Sequence, residues 1–74
     1  MQKHAITIKG HRTSVSLEKE FWGELKRLAA MQNRPLAALV AEVDAARQNQ
    51  GLSSALRLYV LKQIKGEKLD GVFK

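Results

Sequence analysis

The 74-residue sequence predicts an α+β, mostly helical fold: an N-terminal β-strand or hairpin followed by three helices, assembled as an intertwined homodimer. Three observations predict it. Residues 4–17 alternate apolar and polar at period two, the pattern of a half-buried strand. From Glu18 onward the apolar spacing becomes helical. A chain of this length buries only about 60% of its unfolded surface when alone. With no cysteine and no ligand-spaced His/Cys/Asp/Glu cluster to supply the missing stability, oligomerisation is the expected remedy. Residues 1–74 read as a single domain.

The ribbon occupies residues 4–17 and is interrupted by Lys9-Gly10. If these two form a two-residue hairpin loop, with glycine supplying a positive φ, facing residues have numbers that sum to 19. Ile8 then faces His11, Ile6 faces Thr13 and His4 faces Val15. Ile6, Ile8, Thr13, Val15 and Leu17 share one face; Ala5, Thr7, Lys9, Arg12, Ser14 and Ser16 share the other. The alternative is that Gly10 marks only a bend between two separate strands.

The first helix spans 18–33, with Phe21, Leu25, Leu28 and Ala29 on its apolar stripe and Ser16 as its cap. Pro35 stands where a second helix begins, and Leu36, Leu39, Val40 and Val43 carry its stripe over 35–47. Gln48 to Gly51 reads as a loop. A third helix covers 53–65, capped by Ser53 or Ser54, with Leu52, Leu56, Tyr59, Val60 and Ile64 inward and Arg57, Lys62 and Lys65 on a solvated face. Residues 66–74 read as a tail whose Leu69, Val72 and Phe73 are apolar enough to dock on another surface.

Charge points to the partner. Thirteen Lys and Arg against seven Asp and Glu give a net +6, which favours an acidic ligand. Residues 1–17 carry Lys3, Lys9 and Arg12 with no acid, and the third helix and tail are again basic, whereas Glu42 and Asp44 outweigh Arg47 in the middle. No apolar run is long enough to span a membrane and no secretory leader is visible, so a cytoplasmic protein is expected. Catalysis finds no support: there is no Gly-rich phosphate loop or nucleophile elbow, and Glu42 and Asp44, two apart on a helix, do not share a face. Neither a cofactor nor a metal is expected. His4 and His11 lack a third ligand and read as structural or surface residues, and Trp22 reads as packing against a dimer partner or the third helix.

The stretch Arg12-Thr-Ser-Val-Ser-Leu17, a helix, a turn eighteen residues after Leu17 and a second helix through Leu39-Val40 resemble the ribbon-helix-helix (Arc/MetJ-type) DNA-binding family over residues 11 to about 48. Ala37 to Asp44 and Leu52 to Arg57 also resemble a bacterial subgroup with an added third helix. The resemblance implies a dimer whose ribbon enters the DNA major groove. By position it makes Arg12, Ser14 and Ser16 the base readers and gives a dimer core of Val15, Leu17, Phe21, Leu25, Leu39 and Val40. Two-point bonding of an arginine to guanine O6 and N7 suits Arg12 to that task. Lys3 and Lys9 are expected on phosphates. The start of the second helix departs from the family pattern, because Asn33-Arg34-Pro35-Leu36 lacks the usual Ser/Thr cap and Pro35 has no N–H to offer. Arg34 is therefore expected to hold that phosphate. Gln2 to Ile8 is a longer arm than simpler members have.

The expected function is a sequence-specific transcriptional regulator of repressor type acting on double-stranded DNA. The alternative is an antitoxin-like interaction module that holds a protein partner with its third helix and tail. That helix either completes the dimer core or builds a higher oligomer, and it is not expected to bind membrane, because its stripe is needed inside.

Overall fold

Lys9 and Gly10 reverse the chain with φ of 51° and 82°, the pair of positive angles of a type I′ turn, whose twist matches that of the strands it joins. On either side lie β1 (Gln2–Ile8) and β2 (His11–Leu17), paired antiparallel from Gln2↔Leu17 to Ile8↔His11. The ribbon is thus a hairpin within one chain, in the register whose numbers sum to 19, rather than two separate strands. This computed structural model describes residues 2–72, with side chains described up to residue 66.

Three helices follow: α1 (Lys19–Met31), α2 (Leu36–Ala46) and α3 (Leu52–Val72). The first ends in a two-bond αL closure. Asn33 takes φ 55°, its N–H donates to the Ala30 carbonyl and the Arg34 N–H donates to that of Ala29, each at 3.1 Å. Asparagine is one of the few side chains that tolerates this position, which is why the helix stops there. Pro35 is the N-cap of α2, and its carbonyl accepts from the N–H groups of Ala38 and Leu39.

The helical caps differ from those expected. Glu18, not Ser16, is the N-cap of α1 and makes no side-chain cap bond. Ser53 does not cap α3 either: the Gly51 carbonyl receives the first helical bond, from Ala55 N–H at 3.0 Å, and the Ser53 hydroxyl donates to the Ser16 carbonyl at 2.6 Å. The third helix also starts one residue early and runs through most of the stretch read as a tail, reaching Val72. No proline interrupts it, and a glycine such as Gly66 weakens a helix by only about 1 kcal/mol. The expected docking by Leu69, Val72 and Phe73 falls outside the side chains described.

One apolar core holds the elements together. Ile8, Val15 and Leu17 from the hairpin are buried with Leu25, Leu28 and Ala29 of α1, Leu39, Val40 and Val43 of α2, and Ala55, Leu56 and Val60 of α3. The helical stripes and the inward face of β2 therefore meet within a single chain. Phe21 is half-buried at the edge of this cluster. Among the described residues no polar or charged side chain is buried.

Candidate nucleic-acid interface

The period of two that buries Val15 and Leu17 turns their neighbours outward. Arg12 and Ser14 are exposed on β2, and Ser16 is half-buried. On β1, Lys3, Ala5 and Thr7 are exposed. The pairing sets Thr7 opposite Arg12, Ala5 opposite Ser14 and Lys3 opposite Ser16. Directly opposed residues lie on the same face of a sheet, so all six share one surface. Lys9 is exposed at the turn. Among the described residues, none of Lys3, Lys9 and Arg12 is ion-paired, and residues 2–17 contain no acid. The result is a cationic face of small and hydrogen-bonding side chains.

The backbone adds a second property. In a hairpin closed by a two-residue turn, the flanking pair exchanges hydrogen bonds and every second pair thereafter does the same. Here these are Ile8–His11, Ile6–Thr13, His4–Val15 and Gln2–Leu17. Arg12, Ser14 and Ser16 accordingly aim their backbone groups away from β1. The carbonyl of Ser16 is taken by Ser53; a groove of about 370 Å³ beside β2 is lined by His11, Thr13, Ser14, Asp44, Arg47 and Leu52, among others.

Two long-range links fix the hairpin. His4 on β1 stacks on Trp22 of α1 and its Nε2–H donates to the Leu17 carbonyl at 3.2 Å. Trp22, expected against the third helix or a partner, thus holds β1. Arg57, expected on a solvated face, is half-buried and bonded to Glu18 at 2.9 Å. Its guanidinium, by hydrogen bonding, holds the Glu18 carboxyl below the usual carboxylate range.

Arg34, expected on a phosphate, has an acidic neighbour. It is paired with Glu42 of α2, and its Nε is buried without a partner among the described residues. As the N-cap, Pro35 lies before the helical N–H groups, and those of Leu36 and Ala37 open the first turn. Sequence reasoning missed the two anchoring links and the closeness of Thr7 to Arg12; the last was contained in the sum-19 register.

No group of three His, Cys, Asp or Glu that could hold a metal occurs among the described residues, and no described helix is long and apolar enough to cross a membrane. In comparison with known families, residues 1–64 match the ribbon-helix-helix domain. No curated protein and no solved structure matches the chain. The two-stranded hairpin, α1 and α2 supply the elements of that fold, with α3 added. The chain belongs to the ribbon-helix-helix family, whose domains serve as DNA-binding regulators and generally bind as dimers.

Proposed function

We propose that this protein is a sequence-specific transcriptional regulator, a repressor, that inserts β2 of two copies into the DNA major groove. The observation that carries this reading is the exposure of Arg12 and Ser14 on the unpaired-charge face of a strand whose other face is buried. A two-stranded ribbon fits a groove roughly 12 Å wide. The outward backbone of β2 and the groove beside it favour antiparallel pairing with a second copy there, which joins the two β2 strands into the ribbon.

In this reading Arg12 bonds guanine O6 and N7, and Ser14 and Ser16 read neighbouring base edges less sharply. Lys3 and Lys9 hold phosphates. Arg34 contributes only by leaving Glu42, and the open N–H groups at the start of α2 favour a phosphate without it. The test is anisotropy titration of labelled duplexes, one of random sequence and others from upstream of the coding sequence, at several salt concentrations. Wild type binds one fragment selectively, and Arg12→Ala weakens that binding by about 1–3 kcal/mol while relaxing one position. Equal affinity of wild type for every duplex, or an unaltered Arg12→Ala variant, would count against it.

A second reading is favoured by Leu58 and Leu61, which are 44% and 46% exposed on α3. Large apolar side chains three apart on a helix form an outward patch suited to a protein partner or a higher oligomer. Leu58→Gln/Leu61→Gln, which adds no charge, should lower the assembly size in sedimentation and leave DNA affinity unchanged.

A further inference from the structure

We propose that β1 is a phosphate-holding strand that lies along the walls of the groove, with Thr7 and Ala5 as its unassigned contact positions beside Lys3. The inference rests on the DNA-binding reading above and adds a division of labour between the two strands.

Each chain presents two strands, not one. When two β2 strands pair, the strand order is β1, β2, β2 and β1, and at a spacing of about 4.8 Å the outer strands lie roughly 14 Å apart. The major groove is only about 12 Å wide, so the central pair enters while both copies of β1 ride over the phosphate rows. Every outward residue of β1 has a defined neighbour: Thr7 beside Arg12, Ala5 beside Ser14, Lys3 beside Ser16.

The chemistry of β1 fits that position. Lys3 supplies a cation and Thr7 a hydroxyl that donates to a phosphate oxygen, whereas Ala5 between them is small enough for close approach. The hydrogen-bonding alternation also turns the N–H groups of Lys3, Ala5 and Thr7 to the outer edge of β1, where phosphate oxygens can accept from them. No acid occurs in residues 2–17 to repel the phosphates.

The strand is held firmly enough for the purpose. Ile8 is buried, Ile6 packs against the core, and His4 stacks on Trp22. Its outward face therefore keeps a fixed distance from that of β2.

The experiment compares Ala5→Lys, Thr7→Glu and Gln63→Lys with wild type by anisotropy, over a series of salt concentrations. The probes are a random-sequence duplex and the tightest upstream fragment. Ala5→Lys should tighten binding to both probes about tenfold or more at low salt and steepen the salt slope by about 1.8, one phosphate for each of two copies. Thr7→Glu should weaken both by a similar factor or more, since its carboxylate repels phosphate and, standing opposite Arg12, also draws that guanidinium away; under Ala5→Lys the ratio between probes should stay at the wild-type value. Gln63→Lys places the same charge on an exposed position of α3 and should change both far less. Because Ala5→Lys is a gain, a folding defect cannot imitate it. If Ala5→Lys leaves affinity and slope unchanged, weakens binding, or acts no more strongly than Gln63→Lys, the assignment of β1 is overturned. The regulator reading then stands on Arg12→Ala. If wild type binds neither probe with a salt dependence, both readings fall together.

Discussion

His4 and Trp22 stack face to face across the β1–α1 junction, with ring centroids 4.2 Å apart and planes 8° from parallel. The contact joins the outer strand of the hairpin to the first helix, and His4 also donates to the Leu17 carbonyl at the far end of β2. His4→Ala removes both interactions. An aromatic pair contributes about 0.5–1.5 kcal/mol beyond its burial, so the variant should lose roughly 1–2 kcal/mol with the hydrogen bond included. Trp22 is the single tryptophan, and its emission reports the loss: a red shift is expected in the folded variant. Emission and urea midpoint both equal to wild type would show that the stack does not hold β1.

The turn offers opposite predictions at adjacent residues. Gly10 has φ 82°, and a Cβ there would meet nothing within 4 Å. The effect of Gly10→Ala is therefore conformational, and destabilisation of about 1–2 kcal/mol is expected in a denaturant titration. Lys9, at φ 51°, is not a residue that favours this region. Lys9→Asn creates the Asn-Gly pair preferred in type I′ turns and should add roughly 0.5–1 kcal/mol. The same change removes a cation and should reduce the DNA salt slope by about 1.8 per dimer. A more stable variant with an unchanged slope would take Lys9 off the phosphates.

Local pattern made much of this legible. The parity of residues 4–17 gave the two faces, the Lys9-Gly10 break gave the register for a hairpin but left a bend between separate strands open, and the stripes through Leu25 and Leu28 and through Leu39 and Val40 gave α1 and α2. These signals concern residues close in sequence, whose geometry is set by one period. The links between His4 and Trp22, Ser16 and Ser53, and Glu18 and Arg57 were not legible, because they depend on how finished elements dock. The same cause separates Arg12 from Arg34: the exposure of Arg12 follows from strand parity, whereas Arg34 is drawn to Glu42 by the way its loop meets α2. Neither Ser16 nor Ser53 caps a helix, because Ser16 continues the strand and Ser53 faces it.

The Ser53 hydroxyl donates to the Ser16 carbonyl at 2.6 Å, joining the first turn of α3 to the end of β2. Ser53→Ala leaves that partly buried carbonyl without its donor, a loss of roughly 1 kcal/mol. Native-state hydrogen exchange should then quicken at Ala55, the first amide of α3 with a helical bond, and in the turn that follows it, and leave the amides at the centre of α1 unaffected. Equal acceleration throughout would mean that the bond supports the whole fold and not this junction.

The Glu18–Arg57 pair connects the start of α1 to α3 through two hydrogen bonds, of 2.9 and 3.3 Å. Hydrogen bonding to Arg57 lowers the Glu18 pKa in the folded chain, so the native state binds this proton less readily than the unfolded state. By linkage, the stabilisation is fully present above the ordinary carboxylate value of about 4.3 and is lost as pH falls through the lower folded value. The carboxylate is partly exposed, which makes the effect modest and sensitive to salt. Glu18→Gln should therefore be less stable than wild type at neutral pH, and the difference should shrink as the pH falls below about 4. Added salt should narrow the difference at neutral pH. Urea midpoints of the two proteins across this range, at low and high salt, provide the measurement. A constant difference at every pH would assign the effect of the substitution to altered packing at the start of α1 and not to the charge pair with Arg57.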